Sequence, residues 1–226
     1  MNGLCTVDFH THLNWQSPLQ TSDDVLRIVS TPLTHAADPV PERVVQTLEL
    51  HPWDGVPWSS DYVRYAGEKR FIALGEVGLD RIRGALSIEE QKNIFANAVK
   101  LAQELNKPLT VHCVKCYPDL LELYKNLRWK VPTVIHYFRG KLPLAQQLWR
   151  QSNFILSLPP AAHNQTELWD FIRENPEYLN RTVLESDDPS ADCIKEHYQI
   201  VAGKLDMSFR ELQTVMTAIY KRIYCQ

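Results

Sequence analysis

Six polar residues in this sequence have the chemical types and the positions that a metal centre needs. Four are histidines and two are carboxylates, and each falls at or just after the end of a short apolar run: His10, His12, Glu76, His112, His136 and Asp187. Taken singly, a histidine after a strand is more often a hydrogen-bonded structural residue than a ligand. Taken together, the six predict a site, because imidazole and carboxylate groups are costly to bury without partners.

The spacing His10-x-His12 is the strongest local signal. Residues two apart on an extended strand point to the same side and can hold one ion. Nitrogen and oxygen ligands without thiolate suit Zn²⁺, Mn²⁺ or Fe²⁺, and Mg²⁺ where water fills several positions. Six ligands exceed what one tetrahedral ion takes, so we expect two divalent ions about 3.5–4 Å apart, with Glu76 as the bridge. Such pairs are typical of hydrolases that act on phosphate esters.

The elements that must position these residues read as strands and helices in alternation. Eight runs rich in Val, Ile, Leu, Thr and Phe predict strands at residues 4–9, 25–30, 45–50, 71–74, 109–111, 133–135, 154–158 and 182–184. The clearest helix is predicted over residues 88–105, where Ser87 and Glu90 form a capping box. Ser208 and Glu211 form another at the start of a C-terminal helix.

This alternation predicts an α/β fold, a (β/α)₈ TIM-type barrel that is slightly reduced in the first crossover, where only residues 14–24 separate two strands. In such a barrel the carboxyl ends of all strands open on one face, where the six residues would converge. The alternative is an open doubly wound sheet, but no glycine-rich phosphate loop follows any strand. With 226 residues and no linker, we expect a single domain spanning residues 1–226.

The composition and net charge of the chain argue against several classes of protein. The formal charge of -3 argues against a protein that coats nucleic acid non-specifically. No stretch of about 18 uncharged apolar residues occurs, and no export signal is recognisable, so we expect a soluble chain. Five scattered cysteines fit a reducing cytoplasm better than a disulfide framework. The C-x-x-C pair Cys113 and Cys116 is expected to pack near a strand end rather than to bind zinc.

Six ordered segments resemble the TatD-like metal-dependent deoxyribonucleases. They are V-D-F-H-T-H-L at residues 7–13, L-H-P-W at 50–53, G-E-V-G-L-D at 75–80, V-H-C at 111–113, I-H-Y-F-R-G at 135–140 and E-S-D-D-P at 185–189. The resemblance covers nearly the whole chain. It implies a barrel of the metal-dependent hydrolase superfamily and phosphodiester hydrolysis, often as a 3′ to 5′ exonuclease. The implied partner is DNA or another phosphodiester, with no membrane and no obligate protein partner.

The resemblance also implies roles for individual residues. It implies a first ion on His10, His12 and Asp187, a bridge at Glu76, and a second ion on His112 and His136. Asp187 and Glu76 are the implied catalytic residues, and Asp187 would take a proton from the metal-bound water that attacks phosphorus in line. His51 falls in the family's His-Pro element, so we assign it to the substrate phosphate.

The chain departs from the family's pattern at two motifs. Asn14 stands where the family usually has Asp after H-x-H-L. Val114 and then Lys115 stand where the family commonly has His-x-Arg. Lys115, Arg81 and Arg139 are therefore candidates to replace a missing substrate-binding arginine, although exposed basic residues are more often solvated surface.

Three functions follow from these observations. The leading one is a phosphodiesterase or deoxyribonuclease. The second keeps the ions and changes the substrate to an ester or amide, such as a D-aminoacyl-tRNA. The third is a non-catalytic barrel that retains metal for stability, although a structural ion needs only four ligands. Trp15, Trp53 and Tyr137 lie beside the motifs, where they either stack on bases or pack at the barrel mouth.

Overall fold

The computed structural model describes residues 5–15, 24–188 and 191–225, which contain eight strands and seven α-helices; an α-helix connects each pair of consecutive strands from β3 to β8, and two helices follow β8. The strands are β1 (Thr6–His12), β2 (Val25–Pro32), β3 (Val44–Leu50), β4 (Phe71–Asp80), β5 (Leu109–Val114), β6 (Thr133–Ile135), β7 (Phe154–Leu158) and β8 (Thr182–Leu184). The helices are α1 (Ser60–Ala66), α2 (Ile88–Leu105), α3 (Tyr117–Leu127), α4 (Leu142–Trp149), α5 (Thr166–Glu174), α6 (Ala191–Lys204) and α7 (Phe209–Tyr224). The strands are hydrogen-bonded in chain order from β1 to β8. Parallel strands in sequential order with helical connections are the (β/α)₈ topology, which confirms the predicted fold class.

Two helices begin where capping boxes predict them. The Ser87 hydroxyl accepts a hydrogen bond from the backbone N–H of Glu90, and the Glu90 carboxylate accepts one from the backbone N–H of Ser87. Ser208 and Glu211 make the same reciprocal pair before α7. Because both boxes satisfy backbone donors that have no partner inside the helix, they determine where α2 and α7 start.

Four strands extend past the ends of the apolar runs that predict them: β2 ends at Pro32 rather than at residue 30, and the other three carry candidate ligands. The fourth run ends at Leu74, whereas β4 continues to Asp80, and β5 continues to Val114. The prediction that Glu76 and His112 follow their strands is therefore wrong, since both lie inside them. Likewise, β1 runs to the second histidine of the H-x-H motif. Side chains alternate between the two faces of a strand, so polar ligand positions interrupt an apolar run without ending the strand.

The chain forms two compact units, each with its own core. One unit comprises Met1–Val29, Val40–Val45 and Tyr137–Gln226, and the other comprises Ser30–Pro39 and Gln46–His136. In the first unit the buried Tyr198 of α6 donates its hydroxyl hydrogen to the carbonyl of Val7 in β1. In the second, the buried Tyr62 of α1 donates to the carbonyl of Leu48 in β3. In both, a tyrosine fastens a helix to a strand with its polar atom satisfied.

Two glycines allow β4 and β5 to approach closely beside Glu76. Gly78 pairs with His112 in the parallel ladder, and a Cβ atom on Gly78 would lie 1.9 Å from the His112 carbonyl oxygen. Gly75 has a φ of 132°, and a Cβ atom there would lie 2.1 Å from the Thr110 carbonyl oxygen. Neither position admits a side chain. The G-E-V-G sequence therefore holds Glu76 against the neighbouring strand.

Three further sequence predictions concern membrane-spanning helices, the first crossover and the cysteine pair. No helix in the described ranges is both long and apolar enough to span a bilayer. The reduced first crossover falls mainly on residues 16–23, which lie outside the described residues, as do residue 4 and Pro189. Cys113 and Cys116 are both buried, which agrees with a packing role for this pair.

Candidate metal centre

The first group of candidate ligands comes from β1 and from the segment that follows β8. His10 and His12 are two residues apart on β1, and their Nε2 atoms lie 3.2 Å apart. Oδ1 of Asp187 lies 3.8 Å from Nε2 of His10 and 3.5 Å from Nε2 of His12. The backbone N–H of Asp187 also donates to the carbonyl of His10 at 3.1 Å. We name these three residues the HxH cluster.

A further carboxylate on β1 holds the segment that carries Asp187. Asp8 is buried, and its Oδ1 accepts a 2.8 Å hydrogen bond from the backbone N–H of Ser186 while its Oδ2 accepts a 2.5 Å bond from the Ser186 hydroxyl. Burial raises the pKa of Asp8 to about 7, although both bonds from Ser186 act to lower it. The Thr11 hydroxyl donates to the carbonyl of Asp188 at 2.7 Å. These bonds fasten the segment to β1 and set the orientation of Asp187.

The second group of candidate ligands surrounds Glu76 in β4. Oε1 of Glu76 lies 2.5 Å from Nδ1 of His112 in β5 and 3.5 Å from Nε2 of His136, just after β6. All three side chains are buried, and that of Glu76 is only 1% exposed. Burial acts to lower the pKa of His112, but Glu76 and Asp80 outweigh it and the pKa is raised. We name Glu76, His112 and His136 the Glu76 cluster.

Asp80, the last residue of β4, orients His112. Its Oδ2 accepts hydrogen bonds from Nε2 of His112 at 3.0 Å and from Nε1 of Trp53 at 2.6 Å. Its Oδ1 accepts from the backbone N–H groups of Ile82 and Arg83 at 2.7 and 2.9 Å. Burial acts to raise the pKa of Asp80, but these donors outweigh it and lower the pKa to about 2. With Nε2 of neutral His112 protonated, Nδ1 presents a lone pair, as in metal-ligating histidines that an outer carboxylate orients.

His51, directly after β3, is a hydrogen-bond donor beside the Glu76 cluster. Ligand atoms of His51, Glu76 and His112 all lie within 4.8 Å of one another, and Nε2 of His51 is 3.1 Å from Oε1 of Glu76. The backbone N–H of Trp53, however, donates to Nδ1 of His51 at 3.1 Å. Neutral His51 therefore carries its proton on Nε2 and donates it to Glu76. A protonated nitrogen has no lone pair for a metal, so His51 is not a ligand in this tautomer.

Both clusters have the donor types that divalent cations require, and the donor spacings of the HxH cluster also suit such an ion. Metal–ligand bonds of about 2.1 Å put neighbouring donors about 3.0–3.4 Å apart on an octahedral or tetrahedral shell. The donor atoms of the HxH cluster are separated by 3.2, 3.5 and 3.8 Å. Imidazole and carboxylate groups without thiolate suit Zn²⁺, Mn²⁺, Fe²⁺ or a partly hydrated Mg²⁺. The residues present therefore fit divalent ions, by donor type and spacing in the HxH cluster and by donor type in the Glu76 cluster.

The basic residues predicted to bind substrate differ in their surroundings. Arg81 donates from Nη2 to both carboxylate oxygens of Asp119, each at 2.9 Å. Lys115 follows β5, is exposed and has a φ of 55°. The guanidinium carbon of Arg139 lies 5.9 Å from the centre of the Tyr137 ring. A substrate phosphate would have to compete with the Asp119 carboxylate for Arg81, whereas Lys115 extends from the surface.

Two carboxylates that support the clusters are missing from the sequence-based site. Asp8 and Asp80 both lie within segments that also contain predicted ligands, but neither is predicted to take part. The alternation of side chains along a strand could have identified them. Asp8 lies two residues before His10, and Asp80 lies four residues after Glu76, so each falls on the face of its strand that carries the ligands.

The chain is similar to known proteins along nearly its whole length. The model of the family described as TatD related DNase matches residues 7–225. A metal-dependent hydrolase of Bacillus subtilis (strain 168) named YabD is 24% identical over 252 residues, which cover 96% of this chain and 98% of that protein.

Shorter matches connect the chain to proteins named 3′-5′ ssDNA/RNA exonuclease TatD. The one from Klebsiella pneumoniae (strain 342) is 34% identical over 106 residues, which cover 45% of this chain and 40% of that protein. The one from Escherichia coli (strain K12) is 30% identical over 99 residues, which cover 42% of this chain and 38% of that protein. Both matches therefore span less than half of the exonuclease.

Two solved structures share the fold. A TatD family hydrolase from Entamoeba histolytica superposes with a TM-score of 0.77 at 16% identity, covering 97% of this chain and 98% of that one. The TatD homologue YjjV from Escherichia coli K12 superposes with a TM-score of 0.81 at 17% identity, covering 99% and 100%. At these identities the likeness concerns the fold, and it agrees with the (β/α)₈ topology.

Proposed function

This chain belongs to the TatD related DNase family, and from that premise we propose that it hydrolyses phosphodiester bonds in DNA and removes nucleotides in the 3′ to 5′ direction. The observation that carries the proposal is that one chain contains two groups of imidazole and carboxylate ligands, the HxH cluster and the Glu76 cluster. The relatives from Klebsiella pneumoniae and Escherichia coli, named as ssDNA/RNA exonucleases, support a nucleic-acid substrate.

We propose that the two clusters serve one reaction within a single barrel domain. The HxH cluster would hold one divalent ion, and Glu76, His112 and His136 would hold a second. When bound, the ions supply Lewis-acid stabilisation of the charge that develops on the phosphoryl oxygens and make water more acidic. The protein contributes ligands whose orientation Asp8 and Asp80 set in advance, so little reorganisation is needed during the reaction.

Asp187 is the proposed proton acceptor for the attacking water. Its side chain is 29% exposed, whereas that of Glu76 is 1% exposed. A group that takes a proton from water must lie where water reaches it, within hydrogen-bond distance. The bond from the Asp187 backbone N–H to the His10 carbonyl keeps this carboxylate beside the two histidines while its oxygens stay accessible.

His51 is the proposed donor to the substrate phosphate. Its Nε2–H group now donates to Glu76, and the Trp53 backbone N–H keeps the ring in the tautomer with the proton on Nε2. The same N–H group can donate to a phosphoryl oxygen when substrate enters. Lys115 and Arg139 are further candidates for backbone phosphates, because both are exposed and carry charge that phosphate binding requires.

Digestion of end-labelled single-stranded DNA tests this proposal. With Mg²⁺, Mn²⁺, Co²⁺ or Zn²⁺ supplied in turn, we expect metal-stimulated release of nucleotides, with a 3′ label lost before a 5′ label. Glu76→Ala and Asp187→Asn should abolish the release. Asp38→Asn is the matched control, because Asp38 also pairs with a histidine, His35, at 2.7 Å, outside both clusters. Inactivity of the wild-type chain with all four metals would contradict the proposal.

A parallel assay separates a phosphodiester substrate from an acyl ester. The initial rate on the DNA substrate is compared with the rate on a D-aminoacyl ester under the same metal and pH. The proposal requires the rate on DNA to be the larger. A larger rate on the ester would replace the substrate while leaving the metal-dependent hydrolase in place.

A further inference from the structure

Arg83 lies over the ring of Trp53 next to the Glu76 cluster. The guanidinium carbon of Arg83 is 3.5 Å from the centre of the Trp53 ring, the separation of a close cation–π contact. The same indole makes T-shaped contacts with the rings of His51 and His112, with centroid distances of 4.6 and 5.5 Å. A single aromatic ring therefore separates this positive charge from two histidines of the site.

The Asp80 carboxylate fixes both partners of this contact. One oxygen accepts from the indole N–H of Trp53 and from His112, and the other accepts from the backbone N–H groups of Ile82 and Arg83. The group that orients His112 thus also sets the position of the Trp53 ring and the start of the Arg83 side chain. The Arg83 guanidinium therefore has a defined position relative to the candidate metal ligands.

Arg83 differs from two nearby basic residues in its interaction partners. Arg81 donates to both oxygens of Asp119, and Lys92 lies 2.8 Å from the same carboxylate. Within the described part of the chain, Arg83 makes no ion pair with a carboxylate. Stacking occupies the flat face of a guanidinium, whereas its N–H groups point outward in the plane. Those donors are arranged to bind an anion in two-pronged geometry.

The surface around Arg83 also suits a nucleotide. The described residues include four large hydrophobic side chains that are exposed, and two of them, Trp53 and Ile82, belong to this contact or adjoin it. Ile82 is 68% exposed. A nucleic-acid strand offers alternating charged phosphates and flat apolar bases, so a guanidinium beside exposed apolar side chains complements it.

We infer that Arg83, carried on the Trp53 ring, binds a backbone phosphate of the polynucleotide substrate. The inference rests on the proposed function and deepens it by naming a substrate-binding residue. Arg83 then supplies a positive charge next to a segment that has Val114 followed by Lys115 where the family commonly has His-x-Arg. Trp53 is a positioning residue, since it acts by holding the Arg83 side chain.

Binding of oligothymidylate to the chelated protein tests the inference without hydrolysis. Fluorescence anisotropy of a labelled strand gives Kd over a range of salt concentrations. We expect Arg83→Gln to weaken binding about tenfold, the loss of one charge-assisted hydrogen-bonded contact. The slope of log K against log salt should shrink by about 0.7, the value for one phosphate contact on a single strand. Arg83→Lys should retain the slope and lose part of the affinity, because lysine keeps the charge without the fork.

Arg64→Gln is the matched control, since Arg64 also stacks on an aromatic ring, 4.0 Å from the centre of Tyr65 in α1. This variant should keep both the wild-type Kd and the wild-type salt slope. An unchanged Kd and slope in Arg83→Gln, or an equal change in Arg64→Gln, would overturn the inference. So would a wild-type chain that does not bind oligothymidylate.

Steady-state kinetics separate this inference from the proposed function. With metal present, Arg83→Gln should raise KM for single-stranded DNA about tenfold and leave kcat within about twofold, since uniform binding is lost. If wild type shows no metal-dependent digestion but Arg83→Gln still weakens strand binding, the proposed function fails and the phosphate site stands. If wild type digests DNA and Arg83→Gln matches it in KM and Kd, the phosphate site fails alone.

Discussion

The HxH cluster and the Glu76 cluster use the same ligand types, but the protein surrounds them differently. In the HxH cluster the side chains of His12 and Asp187 are 41% and 29% exposed. In the Glu76 cluster the three side chains are 1%, 8% and 6% exposed, for Glu76, His112 and His136 in that order. Two ligands of the HxH cluster are open to water while its third, His10, is 1% exposed, whereas all three ligands of the Glu76 cluster are enclosed.

This difference indicates a division of labour between the clusters. A buried carboxylate is costly unless a positive charge or a metal balances it. The Glu76 cluster is therefore the one in which an ion contributes most to stability. The HxH cluster, with its accessible carboxylate, is suited to exchanging water and protons. We expect the enclosed cluster to hold its ion and the open cluster to carry the reactive water.

The largest expected effect comes from removing one carboxylate from each cluster. Glu76→Gln and Asp187→Asn should each lower kcat on the order of 10³-fold, because each removes charge needed in the transition state. Their melting temperatures should differ. Glu76→Gln should lose most of the metal-induced increase in Tm without lowering the Tm of chelated protein, whereas Asp187→Asn should retain most of that increase. Equal losses of the metal-induced increase would break the distinction between the clusters.

Asp80→Asn probes the support around the enclosed cluster. Both oxygens of Asp80 accept from N–H donors, so an amide places its NH₂ group against donors whichever way it is turned. Loss of an outer carboxylate that orients a histidine ligand lowers metal affinity or activity about 10- to 100-fold. Metal titration and kcat/KM measure this loss. Asp38→Asn, in the separate His35 pair, should change neither, and an equally inactive control would contradict the argument.

Stepwise chelation tests the difference in exposure directly. A chelator should remove the ion of the HxH cluster first. We expect the metal affinity of this cluster to be on the order of tenfold weaker than that of the Glu76 cluster, in which the hydrogen bond from His112 to Asp80 orients a ligand. Activity should disappear with the first ion, while most of the metal-dependent gain in Tm should persist until the second leaves. Simultaneous loss of both ions, or loss of the Tm gain with the first, would show that burial does not distinguish the clusters.

The smallest expected effect concerns His197, a buried histidine that belongs to neither cluster. His197 of α6 donates from Nε2 to the Leu158 carbonyl at 2.8 Å, and its Nδ1 is 2.7 Å from Nε2 of His163. Burial lowers its pKa to about 4, although the Leu158 carbonyl acts to raise it. The folded form thus binds fewer protons than the unfolded form, and stability contributed by neutral His197 is lost as the pH falls from about 6.5 towards 4.

Between about pH 7 and about pH 5.5, this linkage should cost about 1 kcal/mol of unfolding free energy. Urea denaturation of the chelated protein at each pH measures it. His197→Gln should flatten the profile by that amount. An unchanged pH profile in His197→Gln would show that this histidine is not kept neutral by its surroundings.

The sequence predicts some strands to the residue and others only in part. β6, β7 and β8 coincide with their apolar runs, because strands buried on both faces read as continuous apolar segments. β4 does not, since Glu76, Gly78 and Asp80 interrupt its apolar run. The residues that build the site therefore also make the apolar run end before the strand does.

The candidate ligands could be predicted, but their supporting contacts could not. Strand ends in a parallel barrel converge, which points to the ligand positions without any knowledge of packing. The bond between Arg81 and Asp119 depends on how α3 packs beside the loop after β4, a tertiary contact that no local pattern encodes. For the same reason the sequence draws attention to Arg81, whereas Arg83, stacked on the Trp53 ring, emerges only from the structure.

The most direct test of the central claim is the number and location of metal ions bound to the chain. Native mass spectrometry with saturating Mn²⁺ or Zn²⁺ should find two ions on the wild type and one on each of His12→Ala and His112→Ala. Anomalous diffraction should place the remaining ion at the cluster that the substitution leaves intact. A wild-type chain that binds a single ion, or none, would contradict the account of two clusters that hold one ion each.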